Sequence, residues 1–426
     1  MGILRSFNIG VSGLNAVGQG MGVISDNISN SGTTGFKASR AEFQDVLAVS
    51  LKGIDGGDQF GAGVKLSHIK PLMSQGDVSR TESITDLAIN GDGFFKVEAP
   101  FGPGFTRDGS MHFDKDGNLT NADGYKVVGF KADAEGRVTT KEGPIRLGNT
   151  TIAAQATAKV KVSMNLDSRA EVKQFDPLKP EETSNFSNSM TVYDNVGTAR
   201  LVTTFFNKTA DNNWTYRVMS DGADVNGGVA GQMVTQAEGN LIFNDKGQLQ
   251  QEVPTTNSFN FNKGAAANQQ IDFNFGESIS EGGDGTDAST QYGSGSALAR
   301  HTQDGSSAAT LASLSFNDKG ILTAVYDNGE ARDIAQIAVA KFENNEGLFK
   351  VGKNLFKESR NSGQPAMGQP GDAGRGEVLS KSIELSNVDI ANEFVSLMTA
   401  QRNFQANAKT IGTADQMLQE IFRMKG

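Results

Sequence analysis

FNIGVSGLNAVGQGMGVISDNISNSG, residues 7–32, carries no charge before Asp26 and is dense in glycine, asparagine and serine. Phe7, Leu14, Met21 and Ile28 recur at intervals of seven, with Val17 and Ile24 three positions after Leu14 and Met21. That is the stripe by which one helix finds another. Five glycines lie between Ser6 and Ser25, each costing roughly 1 kcal/mol of helical stability. Such a helix frays alone and becomes ordered when neighbours pack closely on its small residues. The same glycines, with Asn8, Asn15 and Gln19, make the stretch too polar to span a membrane. It has one Arg before it and no compact apolar run, so it does not read as a cleaved secretory signal.

The partner stripe lies at the other end of the chain. Ile390, Leu397, Phe404, Ile411 and Leu418 again fall seven apart, with Ala400 and Ala414 at +3 positions and Glu393 and Asn407 interrupting that second set. Val395, Arg402, Lys409, Gln416 and Arg423 form a separate, mostly polar stripe. The residues before VDIANEF supply an N-cap near Asn387. The run predicts roughly 50 Å of helix. Two terminal helices of matching period are expected to pair, parallel or antiparallel, with the rest of the chain looped out between them. The bland reading gives each helix its own domain to pack on.

Between the ends the pattern is β. FDKDGNLT at Phe113, FNDKGQLQ at Phe243 and FNDKGILT at Phe316 each place Asp or Asn and then Gly at a turn between alternating segments, a hairpin signature. Asp114, Asp116 and Asn118 imitate the start of a calcium loop, but Leu119 and Tyr125 stand where Gly and the bidentate Glu belong. Composition shifts divide the chain into nested pieces. These are 1–30 with 386–426 as terminal coiled-coil domain, 31–75 with 350–385 as extended connections, 76–150 with 300–349 as inner β domain, and 151–299 as outer inserted β domain. NSGQPAMGQPGDAGRGE (361–377) reads as a linker into the last helix. The expected fold class is α+β and multidomain, with mainly antiparallel, barrel- or sandwich-like β domains.

The totals exclude several functions. A chain of 426 residues needs more than one core, and 51 glycines imply many turns. A net charge of −10 disfavours nucleic acid or an anionic membrane as partner. Without cysteine there is neither a disulfide nor a thiolate metal site. His68, His112 and His301 are scattered. No G-x-S-x-G elbow, Walker loop or H-E-x-x-H motif is present, and GQGMG (18–22) lies inside the heptad pattern rather than after a strand. No catalytic, cofactor or metal residues are assigned. A secreted carbohydrate-active enzyme is the rival class, weakened by one Trp and five Tyr for stacking sugars.

NISNSGTTGFKASR (27–40), DLAINGDGFFKV (86–97), FTRDGSMHFDKDGNLTNADGYKVVGF (105–130) and SNVDIANEFVSLMTAQRNFQANAKTIGTADQMLQEI (386–421) together resemble the bacterial flagellar rod and hook family. The central part matches loosely, mainly around MTVYDNVGTARLVTTFF (190–206). The insertion argues for the hook side of the family, with a shorter, straight and stiff distal-rod-like protein as the alternative reading. The resemblance implies a structural, extracellular subunit, exported unfolded by the flagellar type III apparatus without a cleaved signal. It would polymerise under a cap into a flexible curved tube, a universal joint carrying torque from rod to filament. The implied partners are further copies of the chain, the distal rod protein, the hook cap or scaffold protein, the hook–filament junction protein and the export apparatus. Phe7, Leu14, Val17, Met21, Ile24 and Ile28 would then face Ile390, Leu397, Phe404, Ile411 and Leu418, in the same or neighbouring copies. Asn8, Ser12, Asn15 and Gln19 lie off that face and are candidates to line the export channel, or to pack on other helices.

Overall fold

The computed structural model describes residues 2–47, 61–133, 136–283, 285 and 288–425; residues 48–60 of the 31–75 segment lie outside it. The fold is α+β, with a helix at each end and mostly antiparallel strands between. It divides into two compact units, one of residues 1–148, 313–325 and 331–426, the other of 149–312 and 326–330.

In the first unit, neighbouring strands of the main sheet are Ile321–Tyr326, Ala331–Ile337, Lys126–Ala132, Phe94–Ala99, Gly102–Thr106, Leu355–Lys357 and Phe349–Gly352. Ala335 pairs with Lys131 and Val339 with Phe95, so strands from before and after the insertion share one sheet. Strand Phe94–Ala99 feeds two apolar clusters. Phe95 and Val97 join Leu87, Ile89, Leu119, Val127, Leu322 and Ile337. Phe94 joins Phe105, Phe342 and Phe356, the Phe105 and Phe342 rings meeting edge to face with centroids 4.8 Å apart. Each such ring contributes about 1.5–3 kcal/mol by burial. The stretch 361–377 is part of this domain rather than a free linker. Ala366–Gly368 pairs with Val339–Lys341, and the Arg375 guanidinium donates to the carbonyls of Ala366, Met367 and Asp372.

The second unit contains a five-stranded antiparallel meander from Phe186 to Asn257. A three-stranded sheet of Asp272–Asn274, Lys159–Asn165 and Ala297–Gln303 belongs to the same unit. Ala297–Gln303 pairs with Lys159–Asn165, so the insertion runs past the expected boundary at 299. The core gathers Trp214, Phe206, Phe259 and Phe275, all fully buried. Trp214 keeps its one polar atom satisfied by donating to Gln291 Oε1 at 2.7 Å.

The recurring turn has one construction in both units. The side-chain oxygen of Asp114 accepts from the Asp116 and Asn118 amides, each at 2.8 Å. Asn244 does the same for Lys246 and Gln248, and Asn317 for Lys319 and Ile321. In each, the following glycine (117, 247 or 320) sits at φ between +68° and +78°, which is why glycine is required. The carboxylate of Asp114 is occupied with backbone amides, the role of a turn former.

Candidate functional site: the paired termini and the joint beneath them

The helices Gly2–Ser29 and Ile390–Lys425 run antiparallel. Asn27 Nδ2 donates to Glu393 Oε1 at 3.1 Å, while Gly13 lies against Asn407 and Gly10 against Ile411. The contact is close because the N-terminal helix presents small residues. A Cβ on Gly10 would come 2.8 Å from Ile411 Cγ1, and one on Gly13 would come 2.8 Å from Asn407 Nδ2. The buried positions of this helix are Gly10, Gly13, Ala16, Gly20 and Asn27. Phe7, Leu14, Val17, Met21, Ile24 and Ile28 are each half-buried beside that line.

On the C-terminal helix Leu397, Ile411 and Leu418 are half-buried and Ala414 buried, together with Glu393, Ala400 and Asn407. Thus Glu393 and Asn407, which interrupt the apolar pattern, are the residues that meet Asn27 and Gly13. Ile390 and Phe404 stay 47% and 39% exposed, as do Phe394 at 49%, Val395 at 57% and Met398 at 52%. Of the channel candidates, Asn8, Asn15 and Gln19 are exposed. Ser12 instead turns toward a neighbouring strand, donating to the Ile9 carbonyl and accepting from the Val64 amide at 3.3 Å.

That neighbour is an antiparallel hairpin, Ser39–Leu47 with Gly61–Pro71, lying along the N-terminal helix. Gly63, at φ +106°, lets the strand approach Ser12 and Ile9, and Gly20 makes room for the Phe43 ring. Residues 31–75 carry no sustained period, since strand residues that pack on a glycine-rich helix need not alternate. The exposed Phe43 and Ile69, each at 46%, show the result.

Below the helices a polar joint ties three remote stretches together. Asn27 exchanges two hydrogen bonds of 2.8 Å with the backbone of Ser39. Asn387 accepts from the Ala38 amide and donates to the Leu72 and Ser74 carbonyls. It therefore faces inward, and the helix cap is Asp389, whose carboxylate accepts from the Ala391 and Asn392 amides. At the centre the fully buried Glu384 meets Lys37 at 2.5 Å and Arg107 at 3.1 Å. Lys37 also donates to the Ser74 carbonyl, and Arg107 to those of Ile89 and Gly91. Burial holds the Lys37 ammonium below its usual pKa, against the opposing pull of Glu384. One carboxylate thus serves two buried cations, an arrangement that tolerates no missing member.

Among the described residues no group of three or more His, Asp or Glu is placed to hold a metal ion. His68, His112 and His301 stand on three different strands. No helix among the described residues is long and apolar enough to cross a membrane. What the termini offer is a close-packed pair with apolar side chains left uncovered.

Four family models match in chain order. They are the flagella basal body rod protein (7–37), the flagellar hook protein FlgE/F/G D1 domain (88–165), the flagellar basal body protein FlaE D2 domain (165–306) and the flagellar basal body rod FlgEFG protein C-terminal (379–424). The chain is 31% identical to the flagellar hook protein FlgE of Salmonella typhimurium, over 99% of this chain and 100% of that one. It belongs to the flagellar hook protein family. A second hook relative, from Borreliella burgdorferi, is 32% identical over the same shares of the two chains. The crystal structure of Helicobacter pylori flagellar hook protein FlgE2 shares the fold, with a TM-score of 0.52, 14% identity, and coverage of 71% of this chain and 99% of that one. The chain is a structural subunit of the flagellar hook.

Proposed function

We propose that the terminal helices are the assembly device of the hook polymer and that this chain works in it without catalysis. The supporting observation is the exposed apolar set Ile390, Phe394, Val395, Met398 and Phe404 on a helix already packed against its own N-terminal partner. Neighbouring copies would cover these side chains, at about 25 cal/mol for each Å² removed from water. Phe7, Leu14, Val17, Met21, Ile24, Ile28, Leu397, Ile411 and Leu418, half-buried beside the seam, would complete the packing. Asn8, Asn15 and Gln19 remain the candidates for a neutral channel wall, along which an unfolded chain would slide without sticking; Ser12, bonded to the hairpin, is withdrawn.

In this reading the tube is flexible and curved and passes torque from rod to filament. The subunit is exported unfolded by the type III apparatus, without a cleaved signal, and functions outside the cell. Its ends meet the distal rod protein, the cap or scaffold protein and the hook–filament junction protein. Electron microscopy at rising concentration, on the intact chain and on one lacking about 30 residues at the start and 40 at the end, tests the assembly claim. Tubes from the intact chain only are expected. Tubes from both would overturn it, and hydrolysis of a polysaccharide by either would revive the enzyme class.

A further inference from the structure

Of the 12 methionines, Met111, Met164, Met190 and Met219 are buried within the β domains, none more than 4% exposed. Met398, Met417 and Met424, all on the C-terminal helix, are 52%, 54% and 84% exposed. A thioether that solvent reaches is open to oxidation, which turns a flexible apolar side chain into a polar one. Met398 and Met417 are matched in exposure but not in company. Met398 follows Ile390 and Phe394 at intervals of four, so the three lie along one ridge of the helix, and Val395 stands three positions before it. All of these neighbours are exposed and apolar. Met417 has Thr413 four positions before it and Glu420 three after, both exposed and polar. The Thr413 hydroxyl turns back to the Lys409 carbonyl, and Glu420 faces Arg423 at 3.6 Å. Of two equally reachable sulfurs, one sits in the uncovered apolar ridge and the other beside solvated groups.

We propose, resting on the assembly reading above, that Met398 is an oxidation site that governs polymerisation. As a thioether it lets the ridge pack on a neighbouring copy; as a sulfoxide it does not. The oxidant is a hydroperoxide, of which hydrogen peroxide is the simplest. A sulfur lone pair attacks one peroxide oxygen, the O–O bond breaks as the S–O bond forms, and the other oxygen leaves as water with both protons. Sulfur is oxidised by two electrons and the peroxide is reduced by the same two. The new S–O group is a strong acceptor. Burying it among Phe394, Val395 and a neighbour's apolar side chains would leave it without a donor. Once the ridge is covered, peroxide no longer reaches the sulfur. Oxidation therefore stops a free subunit from adding but spares a finished tube.

The test uses the full-length chain, treated while dilute with hydrogen peroxide until Met398 is partly oxidised, then quenched and concentrated. Tubes are separated from unassembled chains, and each fraction is digested for mass spectrometry. Before assembly, Met398 and Met417 should gain oxygen at least about tenfold faster than Met111 or Met219, which react only when their domains open. Met398 sulfoxide should be at least about tenfold scarcer in the tubes than in the unassembled fraction, and Met417 sulfoxide equally common in both. Tubes made first and treated afterwards should oxidise at Met398 at least about tenfold more slowly than the dilute chain does. In Met398→Leu, treatment should no longer raise the concentration that the variant's own tubes need. In Met417→Leu it should still raise it at least about tenfold. Equal Met398 sulfoxide in the two fractions, or sorting by Met417 instead, would overturn the proposal and leave the assembly reading in place. So would slow oxidation of Met398 in the dilute chain, or equal rates in tubes and dilute chain. No tubes from the untreated intact chain would overturn both. The sorting measurement needs no substitution, so it decides the matter even if Met398→Leu fails to assemble.

Discussion

The insertion and the paired termini use their large side chains in opposite ways. In the insertion Trp214, Phe206, Phe259 and Phe275 are fully buried, and the Trp214 indole N–H is satisfied by Gln291. In the terminal pair the buried positions belong to Gly10, Gly13, Ala16 and Gly20, while Phe394, Val395, Met398 and Phe404 face solvent. The first is a finished core that gains nothing from a neighbour. The second leaves its best packing material unspent. Chain segments with similar apolar content can therefore differ in kind, according to whether close approach is made by large residues or by small ones.

The largest break of this contrast is Phe404→Asp. Because Phe404 is already 39% exposed, the lone chain should change by no more than about 0.5 kcal/mol in stability, yet tubes should vanish in electron microscopy. Normal tubes from this variant would end the assembly reading. Trp214→Ala should do the reverse. It should cost about 3–5 kcal/mol, read as a lower denaturant midpoint for the inserted unit, with tube formation retained where that unit stays folded. Glu384→Gln should cost about 3 kcal/mol by leaving the buried Lys37 and Arg107 charges with neutral partners only; an unchanged midpoint would mean that the joint is not held by its charges. A finer test compares glycines on one helix. Gly18 has no atom within 4 Å of a built Cβ whereas Gly13 has Asn407 at 2.8 Å, so Gly18→Ala should stabilise by about 1 kcal/mol and Gly13→Ala should not. Equal gains would show that the close approach at Gly13 carries no weight. Phe404→Leu, the smallest change, should leave tubes intact.

The period of both terminal helices was readable because heptad spacing is a local property of the chain. The line of closest approach was not. A search for large apolar residues selects Phe7, Leu14, Met21 and Ile28, whereas backbones come nearest where Gly10 and Gly13 allow it. The clue present in the sequence was the glycine spacing itself. The Asp/Asn–Gly turns were legible for the same reason as the heptads, since each is made within five residues, such as Asp114 to Asn118. Lys37, Arg107 and Glu384 were invisible as a unit because only the completed fold brings them together. The insertion's true edge was missed through Ala297–Gln303, whose partner strand begins at Lys159 and whose own composition is unremarked. The 361–377 stretch misled because Pro and Gly mark tight turns as readily as free linkers.

The interleaving of strands from either side of the insertion has a kinetic consequence. Pairing Ala335 with Lys131 asks the chain to close a loop of about 200 residues, an entropic penalty that grows with loop length. The insertion shortens that search once its own short hairpins have formed, because Thr151 pairs with Thr310 at its base and draws its two ends together. Local turns should therefore close first, the inserted unit second, the interleaved sheet third and the Glu384 joint last. Only then does the C-terminal helix have a fixed start from which to meet the N-terminal one. A chain folding in this order would thus complete its terminal helix pair, with its exposed apolar side chains, at the final step.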